Sequence, residues 1–349
     1  MEGEKYITLP FADDFCLITG DKRKHQKIMS EIHQITKSMN LTLKPSKCKS
    51  MSICSGKPNT CQFKIGENVL KTIKEAPEKF LGKHITHGYK AKDTFEIIQN
   101  KITEHMNNIN ESLVRDEYKL RVYIQYSIPA LRYLFSVHEL SDTQLMCLDH
   151  LHTNAIKSWL GVAKFGSTPA VLYSPDGLSL PKLSDIYLEA HTLSYARCLV
   201  KADERVIHAL QCKITRESAW KQKMKNFGSK RWSAIYLTAC ANAVQDSSTE
   251  EIRPKWKVVK ESIKKELTCE KQREWRNYIQ PLVAQGNMLK LIEAENSDLT
   301  WKSMIYNLPR GVLSFAVRSC IDFLPTFTNL RTWGKRVNAK CPPACLMAC

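Results

Sequence analysis

The sequence contains no uninterrupted apolar run near twenty residues, the length a helix needs to cross a bilayer, and this excludes a transmembrane helix. The amino end, MEGEKY, has neither the basic and then apolar order of a secretory signal nor the arginine-rich character of a transit peptide. An intracellular protein is therefore expected. No segment repeats at a fixed period, which argues against solenoids and propellers. Most of the thirteen cysteines stand alone at irregular intervals, as in Cys16, Cys48, Cys147 and Cys240, so a disulfide framework is not indicated and reduced, mostly core thiols are expected. Acidic residues are scarce. Thirty-five Asp and Glu face 52 Lys and Arg, and the resulting net charge of +17 sets up a positive field suited to a polyanionic partner. The 349 residues are 43% apolar, enough to bury a core and to form two or three packed units.

Within YITLPFADDFCLITG, Leu9, Phe11, Phe15, Leu17 and Ile18 suit two short buried strands, and Asp13 and Asp14 fall where a tight hairpin would turn between them. Neighbouring carboxylates in a partly apolar place repel each other. They either hold a proton with raised pKa or share a divalent cation. Gly20 and Asp21 then open a helical pattern with Ile28, Ile32, Ile35 and Met39 as the stripe that would cover a sheet. Leu41 to Ile53 alternates like a strand around Pro45, CQFKIGENVLKTI suggests a hairpin, and EKFLGKHIT a short strand containing Gly82. The first 90 residues thus form an α+β unit.

From Lys92 the pattern becomes helical. Asp93 and Glu96 suggest a capping pair ahead of an apolar face made by Phe95, Ile98, Ile102, Met106, Ile109 and Leu113. A second helix carries Leu120, Tyr123, Tyr126 and Leu131 with a kink near Pro129, and Ser141 with Gln144 caps a third. SPDGLSLPKL is a turn-rich connection, and ANAVQDSSTEEIRP (241–254) is a linker or surface insertion. CLDHLHT places Cys147 and His150 on one helix face and His152 off it, which argues against a metal site.

Strand, FADDF, strand and helix together resemble the catalytic hairpin of reverse transcriptases, in which an aromatic-x-Asp-Asp tetrapeptide presents carboxylates to Mg²⁺. LKPSKCKSM (43–51) matches that family's Lys-Pro-x-Lys strand, and FLGKHI (80–85) its primer grip, in order and spacing. The chain is most similar to the non-LTR (LINE-type) retrotransposon enzymes of animals. Their thumb elements are matched by YKLRVYIQYSIPALRYL, SWLGV and DGLSLPKL, and downstream NLRTWGKRVNAKCP leads into a cysteine-rich tail.

The resemblance implies an α+β fold: the C-terminal half of a polymerase palm, a short antiparallel sheet plus helix, over residues 1–90. A mainly α thumb would occupy 91–215, a basic helical extension 216–340, and a truncated zinc-knuckle-like tail 341–349. It implies RNA-directed DNA synthesis by two-metal nucleotidyl transfer, with an RNA template, a DNA primer and dNTPs. Asp13 would bind Mg²⁺ with Asp14 in support, and Phe80, Leu81 and Gly82 would grip the primer. Lys47 either protonates the leaving pyrophosphate or is a surface cation. The family's first catalytic aspartate and fingers precede the hairpin, whereas ten residues precede Phe11 here, so the chain is expected to be inactive alone and to take dNTP only if the missing palm is supplied. Cys341, Cys345 and Cys349 either hold Zn²⁺ or form a metal-free tail. Lys119, Lys221, Arg231, Lys255 and Lys257 are candidate nucleic-acid contacts, and the Trp residues beside the last four, Trp220, Trp232 and Trp256, either stack on bases or anchor helices. The alternative function is a non-catalytic RNA- or DNA-binding remnant.

Overall fold

The computed structural model describes residues 6–73, 78–85, 91–162, 169–175, 177–201, 256–282, 307–320, 324, 326–332 and 334–335. These form a mixed α+β, mostly helical chain that divides into two compact units, Met1–Thr94 and Phe95–Cys349.

The first unit is built from short hairpins around one helix. Strands β1 (Tyr6–Phe11) and β2 (Asp14–Thr19) pair antiparallel, with Phe11 opposite Asp14, and lead into α1 (Lys22–Ser38). The Asp21 side chain caps α1 by accepting from Lys24 N at 2.7 Å. Three further hairpins follow: β4 (Ser52–Cys54) with β5 (Lys57–Asn59), β6 (Lys64–Ile65) with β7 (Asn68–Val69), and β9 (Glu78–Phe80) with β10 (Lys83–Ile85). β3 (Lys49–Ser50) and β8 (Lys71–Thr72) pair parallel. Every pairing among the described residues is two-stranded, so the expected short sheet is a set of separate ribbons.

Several local expectations change for identifiable reasons. Pro45, with φ fixed near −65°, starts a 3₁₀ turn (Pro45–Lys47) that interrupts the expected strand, so Lys47 stands on a turn. Gly82 is not inside a strand; with Leu81 it forms a two-residue turn in which both φ are positive, 47° and 80°, the signature of type I′. The expected α1 stripe is covered only in part, with Ile28 and Ile32 half-buried. Met29 is the buried side chain, joining Phe63, Ile65 and Leu70, while Ile35 and Met39 remain 53% and 65% exposed because no broad sheet lies beneath them. Seven cysteines have described surroundings and all seven are free; none is fully buried, so the expected core thiols are at most half-buried, as in Cys48 and Cys61, which pack against the Met29 cluster.

The second unit contains α2 (Ala91–Glu111), α3 (Asp116–Val122), a π turn (Tyr123–Ser127), α4 (Ile128–Val137), α5 (Asp142–Trp159), α6 (Pro169–Tyr173), α7 (Leu183–Lys201), α8 (Trp256–Ile279), α9 (Arg310–Cys320) and α10 (Phe327–Thr332). Helix α2 begins before Asp93, which is therefore interior and not a cap. Its apolar face buries Ile98, Ile102, Met106 and Ile109, whereas Leu113 lies past the helix end and is exposed. Ser141 and Gln144 form the expected capping box of α5. The bend before Pro129 is realised as the π turn, with Ile128 N reaching Tyr123 O. That extra residue shifts the helical phase. Tyr123 goes into the core and Tyr126, expected on the same apolar face, is 71% exposed.

Helix α7 packs on α4, α5 and α8. Glu189 on α7 accepts from Arg132 of α4 at 3.0 Å and pairs with Lys264 of α8 at 3.4 Å. Burial pushes its carboxyl up, but the Arg132 hydrogen bond and the two positive charges outweigh this and hold it below its ordinary value. Helix α9 is tied to the end of α5. Arg310 pairs with Asp116 and donates to Ser158 O at 2.9 Å, and Ser314 and Arg318 both donate to Gly161 O.

Candidate metal and nucleic-acid site

Residues 12 and 13 form the tip of the first hairpin, in a turn that has no glycine. Four hairpins of this unit turn through two residues: Ala12-Asp13, Ser55-Gly56, Gly66-Glu67 and Leu81-Gly82. Each has a residue with positive φ, and three supply a glycine. The first uses Ala12 at φ 52°, a conformation that costs an L-residue roughly 1–2 kcal/mol and that Ser55 (50°) and Leu81 (47°) share, each beside a glycine. Strain of this kind persists only where the surroundings impose it, and it marks candidate functional turns. Its local effect is to hold Asp13 at the outermost point of the ribbon and to start β2 with Asp14.

Asp14 shares a ribbon face with its partner Phe11 and with Cys16, because directly opposed residues of an antiparallel pair project to the same side. Phe11, Leu9 and Ile18 on this face are 62%, 48% and 48% exposed, contrary to the burial expected of both strands, because the ribbon pairs with no further strand among the described residues. The opposite face carries Leu17, which packs against Met29, Phe63, Ile65 and Leu70. The base of the ribbon is fixed to α1 through His25: its Nδ1 lies 3.1 Å from Thr19 Oγ1, and its ring centroid 4.4 Å from that of Phe63. Gln26 then clamps β6, donating to Lys64 O at 2.8 Å and accepting from Lys64 N at 2.9 Å as a strand backbone would. Sequence reasoning missed Gln26, since a side-chain amide standing in for a strand leaves no periodic signal.

Two adjacent, exposed carboxylates are hard oxygen donors. They fit one Mg²⁺, which commonly takes one or two carboxylates and completes its shell with water and phosphate oxygens. A pair of ions about 3.5–4 Å apart needs carboxylates from more than one strand. Among the described residues no cluster of three or more His, Cys, Asp or Glu could hold a metal.

The other sequence candidates occupy separate elements. Lys47 is exposed on its 3₁₀ turn. Phe80 ends β9, and Leu81 and Gly82 form the turn after it. No strand pairing among the described residues joins this hairpin to the Asp13 ribbon. Lys119 is held within its own unit, by Asp116 at 3.0 Å and Asn110 O at 3.2 Å. Lys257 is exposed near the start of α8. Lys221, Arg231, Lys255, the 241–254 linker and Cys341, Cys345 and Cys349 lie outside the described residues. Cys147 and His150 are exposed and His152 is fully buried, so His152 lies off the face the other two share.

The buried His152 belongs to a core cluster that the sequence did not announce. Its ring lies 5.3 Å from Tyr123 and 5.9 Å from Tyr173, centroid to centroid. Nearby, Tyr173 Oη is 2.7 Å from Thr153 Oγ1, and Asp149 pairs with Lys182 at 3.3 Å and accepts from Ser184 N. Burial first, and then the Lys182 charge, lower the His152 pKa to about 3, so the imidazole is neutral.

No model of a known protein family matches the chain, and no curated protein matches it. Among the described residues no helix is long and apolar enough to cross a membrane.

Proposed function

We propose that this chain carries the catalytic hairpin, primer grip and thumb of a reverse transcriptase of the animal non-LTR retrotransposon type. The observation that carries the reading is the strained two-residue turn that presents Asp13 and Asp14 from an apolar ribbon, followed in order by α1, the Lys47 turn and the Leu81-Gly82 hairpin. Nucleotidyl transfer needs oxygen ligands beside the primer 3′-hydroxyl and the incoming triphosphate, and little else that is covalent. Asp13 supplies such a ligand and Asp14 supports it. Lys47 either gives a proton to the departing pyrophosphate or is a surface cation, and the Leu81-Gly82 turn would offer backbone to the primer end. Mg²⁺, when bound, would neutralise triphosphate charge and favour the ionised hydroxyl.

Two carboxylates on one ribbon fit a single ion, so polymerisation requires a facing carboxylate from another strand. We accordingly expect the chain by itself to bind primed template without extending it. The test is primer extension on primed RNA with Mg²⁺ or Mn²⁺, run beside Mn²⁺ titration of the chain and of Asp13→Asn. Asp13-dependent synthesis would overturn the inactivity, and Mn²⁺ binding indifferent to Asp13→Asn would overturn the catalytic reading. The net charge of +17 favours a second reading, a non-catalytic nucleic-acid binder. Affinity that falls steeply with salt and is the same in Asp13→Ala would select it.

A further inference from the structure

Helix α1 carries a charge excess that the fold itself does not use. Lys22, Arg23, Lys24, Lys27 and Lys37 stand on it against a single acid, Glu31. Its first turn has no acidic residue, so Lys22 and Arg23 sit at the positive end of the helix dipole, where cations oppose the helix. In the second unit the same residue types are answered by carboxylates: Lys119 by Asp116, Arg132 by Glu189 and Lys271 by Asp185. Arg23 and Lys27 are exposed and form no ion pair among the described residues, not even with Glu31, one turn beyond Lys27.

The helix phase fixes where these cations point. Met29 is the buried residue of α1, and at 3.6 residues per turn Arg23, Gln34 and Lys27 lie roughly 120–160° round the helix from it, on the outward arc. Arg23 and Lys27 are about 6 Å apart along the axis and form, with exposed Gln34, a straight row of hydrogen-bond donors. The exposed apolar residues Ile35 and Met39 leave the helix roughly 120° or more from Arg23, so none interrupts this row. Within the same unit, Leu17 brings one ribbon face against Met29, whereas Asp14, Phe11 and Leu9 occupy the other face. The cationic row and the Asp14 face therefore look out from opposite sides of the unit.

We infer that the outer face of α1 is a phosphate-backbone contact for a nucleic-acid duplex, made by Arg23 and Lys27 and separate from whatever lies at the Asp13 hairpin. Charge complementarity selects the occupant: a rigid line of unanswered cations on a chain of net charge +17 fits a rigid line of phosphates. A row without apolar side chains has nothing to insert into a lipid surface. Contacts of this kind fix position and carry no base sequence, so the surface holds a duplex of any sequence. Being on the far side from Asp14, it serves a segment other than the one at the hairpin.

The experiment measures fluorescence anisotropy of a labelled DNA duplex with the full chain across a salt series, in EDTA. The double variant Arg23→Gln/Lys27→Gln should lower the slope of log affinity against log salt by about two and weaken binding several-fold at low salt. Glu31→Gln, which removes the one acid beside the row, should strengthen binding, a gain that misfolding cannot imitate. Lys260→Gln/Lys265→Gln removes the same charge from exposed positions of α8 and should leave the slope unchanged. A duplex of different sequence should give the same values throughout. An unchanged slope in the α1 double variant overturns the contact, and so does an equal fall in the α8 double variant, which would reduce the effect to net charge. Loss of binding to phosphatidylserine vesicles in the α1 variant, with duplex affinity intact, would make this a membrane face and overturns it as well. Without divalent ions the assay does not involve the Asp13 and Asp14 carboxylates as metal ligands, so its failure is distinguishable from failure of the polymerase reading, which Mn²⁺ titration tests.

Discussion

Gly177 gives the sharpest test of how the second unit is held together. A Cβ placed there would lie 2.2 Å from Val171 O, 2.8 Å from Val171 C and 3.0 Å from Ala170 O. These are backbone atoms of α6, where Ala170, Val171 and Leu172 are fully buried, so neither side can yield cheaply. Relief requires the 177–180 segment to move outward by about 1 Å, which breaks the bonds from Leu178 N to Val171 O (2.6 Å) and from Leu180 N to Leu172 O (2.8 Å). Overpacking of about 1–3 kcal/mol plus two strained or lost hydrogen bonds at about 1 kcal/mol each gives roughly 3–5 kcal/mol for Gly177→Ala. For a unit of this size that lowers Tm by about 10 °C. The assay is urea and thermal unfolding followed by circular dichroism at the helical band. Gly311→Ala is the control with opposite sign: nothing lies within 4 Å of its added methyl, and it sits in the first turn of α9, so it should be neutral or stabilise by up to about 0.5 kcal/mol. Unfolding of Gly177→Ala within 0.5 kcal/mol of the wild type would refute the close approach.

His152 makes stability depend on acid. Its folded pKa of about 3 lies below the ordinary 6.5, so the stabilisation is complete above pH 6.5 and is lost as pH falls from there toward 3. Within that window the wild type should lose up to about 1.4 kcal/mol per pH unit more than His152→Leu, as read from pH-dependent urea midpoints. Glu189→Gln should destabilise by about 1 kcal/mol near neutrality, and since the folded carboxyl sits below its ordinary value this difference should vanish as pH falls through the carboxylate range. At the hairpin tip, Ala12→Gly should be neutral to mildly stabilising and Ala12→Val should destabilise the ribbon by at least about 1 kcal/mol, because a β-branched residue resists positive φ; two-dimensional NMR of residues 6–19 would report both.

The sequence determined what depends on neighbours a few residues apart. The β1–β2 hairpin around Asp13, the helix opening at Asp21, the Ser141 and Gln144 capping box and the α2 face of Ile98, Ile102, Met106 and Ile109 were all legible, since turn chemistry and the 2- and 3.6-residue periods are local. The tertiary structure decided which apolar surfaces found a partner. Ile35 and Met39 have the right spacing for burial but no broad sheet to meet, and Tyr126 has the spacing of a core residue until one inserted residue in a π turn rotates it to solvent. Gln26, the His152 cluster and the contact of Gly177 with Val171 join atoms from different elements, and the energy of burying them is set by the elements that converge there, which no run of adjacent residues encodes.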